Sequence, residues 1–167
     1  AEEFAEAKKR RHEDLIVYFA LSLFARRKPF GHMPESLKRD LKVFFGSYSS
    51  ALEEAKKLLF SIGTPANIEK ACEEAYVAIG CGVLSKGHSY SLHRTYFNML
   101  PPLLRIYVGC SSHLYGDLEE VDMIKIHITS GKVSLMIYDD FDNKPLPLLL
   151  KRIKINMRFK KIDFFEY

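Results

Sequence analysis

The chain has 167 residues, 47% apolar and 28% charged, with 12 Phe and 9 Tyr. That length suits a single domain burying roughly 70% of its unfolded surface without help from a metal or disulfides, and the composition excludes disorder, collagen and low-complexity polymer. Twenty-five basic residues face 21 acidic ones for a net charge of +4, and they are unevenly placed: 12 against 9 in 1–61, 4 against 6 in 62–121, and 9 against 6 in 122–167. A polyanion is therefore expected to touch the ends of the chain rather than its acidic middle.

In chain order, Ala1 to Arg27 reads as one long helix, charged as far as Asp14 and then apolar on every side from Leu15 to Leu21. Such a helix has to be buried nearly all round, which makes it the central core helix. Lys28-Pro29-Phe30-Gly31 breaks it. A second helix opens at Pro34, presents Leu37, Leu41, Phe44 and Phe45 at helical spacing, and stops at Gly46. Ser49 or Ser50 is expected to cap a third, with Glu53 near the capping-box position and Gly63 as its end. Thr64-Pro65 starts a fourth, with Ile68, Ala71, Cys72, Ala75 and Tyr76 on one face. Gly80 to Ser91, with three Gly and three Ser, reads as loop. A short helix over Leu92–Met99 and a longer one from Pro101 to Tyr115 follow.

After Gly116 the period changes from helical to alternating. Ile124, Ile126 and Ile128 alternate with Lys125 and His127, Thr129-Ser130-Gly131 is a hairpin turn, and Val133, Leu135 and Ile137 alternate with Ser134 and Met136. Asp139 to Pro147 is a polar connection; Ile153, Ile155 and Met157 alternate with Lys154 and Asn156; and Ile162–Tyr167 is a last strand. The expected class is α+β: five to six helices packed on an antiparallel meander of about four strands, in a single domain over 1–167 whose 1–121 part is mainly helical and whose 122–167 part is the meander.

Cys72, Cys81 and Cys110 are odd in number and lack any Cys-x-x-Cys spacing, so buried thiols in a reducing cytoplasm are expected rather than a disulfide framework. The longest apolar run, Leu15 to Ala25, is 11 residues, too short to span a bilayer. Arg26-Arg27 follows it where a signal peptide would need small residues. No membrane association is expected. Ala rather than Met at position 1 points to a trimmed chain or a piece of a longer one.

Gly80-Cys81-Gly82 follows a helix, whereas a dinucleotide or S-adenosylmethionine loop follows a buried strand, so no cofactor is expected. Asp139, Asp140 and Asp142 beside Asn143 have Lys144-Pro145 where a calcium loop needs Gly, and read as a solvated turn. His88, His93, His113, His127 and the cysteines lack the short ligand spacings of a zinc site. No nucleophile elbow, Walker loop or zinc-protease helix occurs, so no catalytic centre is assembled in the sequence. Arg94, opening a short helix, suits a phosphate oxygen or an ion pair. The basic residues of the meander are better organised. With the isoleucines facing the helices, Lys125, His127, Lys132, Arg152, Lys154 and Arg158 share the opposite face, with Lys151, Lys160 and Lys161 flanking it. This is either a surface that tracks phosphates or a solvated face whose lysines prevent edge pairing.

Several runs carry a resemblance: "EDLIVYFALSLFARRKPFGHMPESLKRDLKVFFGSYSSALEEAKKLLFSIG", "LHRTYFNMLPPLLRIYVGC", "DMIKIHITSGKVSLMIYDDFDNKPLPLL" and the closing "FFEY". In this order they resemble a region of the DNA phosphorothioation-associated methyltransferases, bacterial proteins encoded with systems that replace a non-bridging phosphate oxygen of DNA by sulfur. The resemblance runs from about Asp14 to Tyr167 and is most specific at Lys42–Tyr48, His93-Arg94, Leu100–Cys110 and Ser134–Pro145. Members carry an N-terminal S-adenosylmethionine-dependent domain that has no counterpart here, so methyl transfer is assigned to no residue of this chain. What the resemblance implies is a cytoplasmic role in DNA modification and defence, with DNA, including phosphorothioate-modified DNA, and other proteins of the system as partners.

The leading expectation is a non-catalytic DNA-recognition or scaffolding domain whose Lys125, Lys132, Arg152, Lys154 and Arg158 contact phosphates, with Arg94 as an outlying contact. The alternatives are a divergent nuclease or transferase built on Asp139–Asp142 with His93 or His127, and a protein-interaction module docking on the acidic middle segment.

Overall fold

The computed structural model describes residues 1–25 and 34–167. The expected helix break at Lys28–Gly31 and the arginines at 26 and 27 lie outside the described residues. The chain is α+β and divides into two compact units, Ala1–Gly63 and Thr64–Tyr167.

The first unit holds helices α1 (Glu2–Phe24), α2 (Glu35–Phe45) and α3 (Tyr48–Ser61). The apolar half of α1 is its centre: Leu15, Ile16, Val17, Phe19 and Ala20 are buried, as are Leu41 of α2 and Ala51 and Ala55 of α3. Phe19 meets Tyr48 edge to face at 5.9 Å. Further along α1, Arg11 is paired with Asp40 at 2.7 Å and His12 stacks on Phe45 at 4.5 Å. Gly46 ends α2 with φ of 78°, a conformation costly for residues with a Cβ. Ser47, not the expected Ser49 or Ser50, caps α3, its hydroxyl accepting from the Ser50 N–H at 3.2 Å. Gly46 has already turned the chain, so the first serine after it reaches the free amides.

The second unit holds α4 (Pro65–Ile79), α5 (Pro102–Tyr115), a 3₁₀ helix over Arg94–Met99, and six strands: β1 (Val83–Ser85), β2 (Ser89–His93), β3 (Met123–His127), β4 (Lys132–Tyr138), β5 (Leu149–Asn156) and β6 (Lys161–Glu166). The strands form one antiparallel sheet in sequential order, β1 to β6. The meander is thus longer than the four strands expected. The extra pair is the hairpin β1–β2, in the stretch read as loop: Val83 pairs with Ser91, Leu84 with Tyr90 and Ser85 with Ser89. Gly82 makes the hairpin possible. Its φ is +99°, and a Cβ there would lie 2.6 Å from the Ser91 carbonyl oxygen and 2.8 Å from the Tyr90 ring.

One face of the sheet is the core. Tyr90, Leu92, Ile124, Ile126, Val133, Leu135, Ile153 and Ile155 are fully buried, with α4 against β1 and β2 and α5 against β4 and β5. The helices contribute Ile68, Cys72, Leu104, Ile106 and Val108. Tyr107 of α5 reaches through this layer to donate to the His127 carbonyl at 2.9 Å. Burial pushes the thiols of Cys72 and Cys110 up to about 12, so both are packing groups rather than reactive ones; Cys81 is only half-buried. Among the described residues no helix is long and apolar enough to cross a membrane.

Candidate nucleic-acid interface

Antiparallel pairing fixes which side chains share the other face of the sheet. Three cross-strand rows result. The central row runs Val83, Ser91, Lys125, Ser134, Lys154, Asp163 across all six strands. On one side of it lie Ser89 and His127, then Lys132, Asn156 and Lys161. On the other side runs His93, Met123, Met136, Arg152, Phe165. Adjacent rows are about 7 Å apart, two residues along a strand.

Lys125, Lys132 and Lys154 surround His127. The imidazole Nε2 is 2.9 Å from the buried Ser134 hydroxyl. Burial, then the ammonium groups of Lys125, Lys154 and Lys132, then His88, press its pKa down to about 4. His127 is therefore neutral at physiological pH, and the three lysines supply the charge. None of the three forms an ion pair among the described residues. Among the described residues the only carboxylate at an outward strand position is that of Asp163, opposite Lys154 in the register and 3.3 Å from Lys161. Three like charges against one carboxylate at this spacing repel one another and favour a further anion between them.

The remaining expected contacts divide. Arg152 lies on the same face, but its guanidinium sits over the Phe165 ring, 4.8 Å from the centroid, and its Nε is buried with no hydrogen-bond partner among the described residues. Lys151 is on the core side of the alternation, 5.5 Å over Phe164. Arg158 is not on the strand. β5 ends at Asn156, whose side-chain oxygen accepts from the Arg158 and Phe159 N–H groups, while the Met157 N–H donates to the Gly131 carbonyl. The Arg158 guanidinium folds back over the β3–β4 turn and donates to the Thr129 carbonyl at 2.9 Å. Arg94 is a structural bracket: its Nε donates to the Val121 carbonyl at 2.7 Å and its N–H to the Asp122 carbonyl at 2.9 Å.

The acidic run is built as a turn. Asp139 accepts from the Leu148 N–H and from Lys144, and these hydrogen bonds, Lys144 first, hold its carboxyl below the usual range. Asp140 has φ of 54° and accepts from the Asn143 side chain at 2.7 Å. His93 lies near this turn, its ring 5.0 Å from that of Phe141, whereas His127 belongs to the basic cluster. Among the described residues no three His, Cys, Asp or Glu side chains are grouped to hold a metal ion.

Sequence reasoning did not single out the third row. Met123 and Met136 form its floor, the Tyr138 hydroxyl rests 3.9 Å from the Met136 sulfur, and Phe141 lies 5.4 Å from Tyr138. Phe165 closes the far end. The signal was available in the register Met123–Met136–Arg152–Phe165, which requires the strand pairing as well as the alternation. No family model matches this chain, and neither a curated protein nor a solved structure does.

Proposed function

We propose that this chain is a non-catalytic DNA-recognition or scaffolding domain that contacts DNA phosphates through the outer face of its sheet. The observation that carries this reading is the cluster of Lys125, Lys132 and Lys154 around a neutral His127, three cations that form no ion pair among the described residues, on an antiparallel platform. Side chains on neighbouring strands keep a fixed separation, so phosphates bind without ordering the backbone first. Arg152, one row away, is the fourth contact. Arg94 and Arg158, each already committed to a backbone carbonyl, are secondary. The resemblance to the DNA phosphorothioation-associated methyltransferases adds the setting: a cytoplasmic bacterial DNA-modification system, with its other proteins as further partners.

The test is a fluorescence titration of duplex DNA, plain and phosphorothioate-modified, at several salt concentrations. Neutralising three phosphates releases their counterions, so Lys125→Ala, Lys132→Ala and Lys154→Ala together should flatten the log–log salt dependence by about 2.7. The loss should be the same for any duplex sequence, because phosphate contacts do not read bases. An unchanged slope in a variant that keeps its circular dichroism would overturn the proposal. A metal-dependent nuclease activity abolished by Asp140→Ala would favour the enzymatic alternative instead, and salt-insensitive binding to a partner protein the interaction-module alternative.

A further inference from the structure

We infer that the nucleic acid held on this face is single-stranded, its phosphates over the lysine rows and its bases laid on the methionine–aromatic row beside them. The inference rests on the proposed phosphate contacts and adds the form of the ligand. Its basis is the juxtaposition of two unlike rows on one open face. Lys125 and Lys154 stand in the central row, and Met123, Met136 and Phe165 in the next.

The second row sets three apolar side chains, Met123, Met136 and Phe165, beside Arg152 at places where a surface built only for phosphates would be polar throughout. Phe165 is 38% exposed, and Met123 and Met136 are partly open to solvent. Thioethers and rings offer a flat, polarisable floor. The rows are about 7 Å apart, so a nucleotide with its phosphate at Lys154 can reach the floor with its base. Base stacking on such a platform tolerates any sequence, since every base has a π-face.

A duplex cannot use this arrangement. Its bases are stacked inside, and the floor would meet sugar and phosphate oxygens, which lose water there and gain no partner. The Arg152 guanidinium over Phe165 extends the platform by one more planar group, which both stacks on a base and neutralises a phosphate.

The experiment compares a DNA single strand of about 12 nucleotides with the blunt duplex of the same sequence, by fluorescence anisotropy at matched salt. The single strand should bind more tightly. Phe165→Ala should weaken single-strand binding by roughly 5- to 100-fold, the effect of losing one base–aromatic stack, and leave the salt slope unchanged because no counterion is involved. Phe165→Trp should restore affinity, which separates lost stacking from a disturbed edge strand. Lys154→Ala should instead lower the single-strand slope by about 0.7. Duplex binding at least as tight as single-strand binding would overturn the inference while leaving the phosphate-contact reading standing, as would a silent Phe165→Ala. Absence of binding to both probes would overturn that reading itself.

Discussion

The two compact units differ in charge in a way that counting would misjudge. Residues 1–63 carry 12 basic and 9 acidic side chains, and residues 64–167 carry 13 and 12. The second unit is closer to neutral, yet it holds the concentrated cationic surface. In the first unit the cations share their helices with acids: Lys8–Arg11 with Glu2, Glu3, Glu6 and Glu13 along α1, Arg11 with Asp40, and Lys38 with Glu35. In the second, alternation gathers cations onto one face of the sheet, and the acids fall in loops and in α4 except for Asp163 and Glu166 on the edge strand β6. Net charge states how much polyanion attraction a chain has, and pairing states where that attraction is available.

The largest effect that tests this contrast should come from Phe19→Ala. Phe19 is fully buried at the centre of the first unit, and the cavity left should cost about 3–5 kcal/mol by urea unfolding. A loss below about 1 kcal/mol would mean that α1 is not the core of its unit. Next, Gly82→Ala should cost about 2–4 kcal/mol, combining a positive φ with overlap onto the Ser91 carbonyl; a neutral result would remove the tight β1–β2 hairpin.

His127 makes stability depend on pH. Its folded pKa, about 4, lies below the ordinary value of 6.5, so between these values the unfolded chain binds more protons than the folded one. Stability is then complete above about pH 6.5 and falls as pH drops toward 4, by about 1–2 kcal/mol after allowance for solvent screening. His127→Gln, which keeps a hydrogen-bonding group near Ser134, should show a shallower loss over that window. An identical pH profile would mean that burial and the neighbouring lysines do not hold the imidazole neutral. The smallest effect should come from Lys8→Ala, Lys9→Ala and Arg10→Ala together. Stability should change by no more than about 0.5 kcal/mol, and the salt slope for DNA should stay as in the unaltered chain. A flattening equal to that of the lysine-cluster variant would break the contrast between the two units.

Much of the architecture was legible because burial imposes period on sequence. Ile124 to Ile128 and Val133 to Ile137 alternate without interruption, and Pro34, Gly46, Thr64-Pro65 and Gly116 punctuate the helices. The β1–β2 hairpin was hidden by its composition, since β1 is three residues long and Gly82 and Gly87 look like loop residues. The alternation of Ser89-Tyr90-Ser91-Leu92-His93 was its one legible sign. Arg158 was misplaced by carrying alternation through Met157. The brake was in the sequence as Asn156, whose side chain captures the next two free amides and stops the strand. Lys125, Lys132 and Lys154 could be assigned to one face from period alone. Their convergence on His127 could not, because it depends on strand order and register.

The link from Tyr107 to the His127 carbonyl has a kinetic consequence. It ties α5 to the end of β3 beneath the lysine cluster, so the charged surface rides on a backbone held from below by a buried helix. Local opening at that end of β3 has to break this hydrogen bond, so the His127 and Ile128 amides should be among the slowest in the sheet to exchange with deuterium. A ligand landing on the cluster then meets a surface already in place, and its arrival should be limited by encounter rather than by rearrangement.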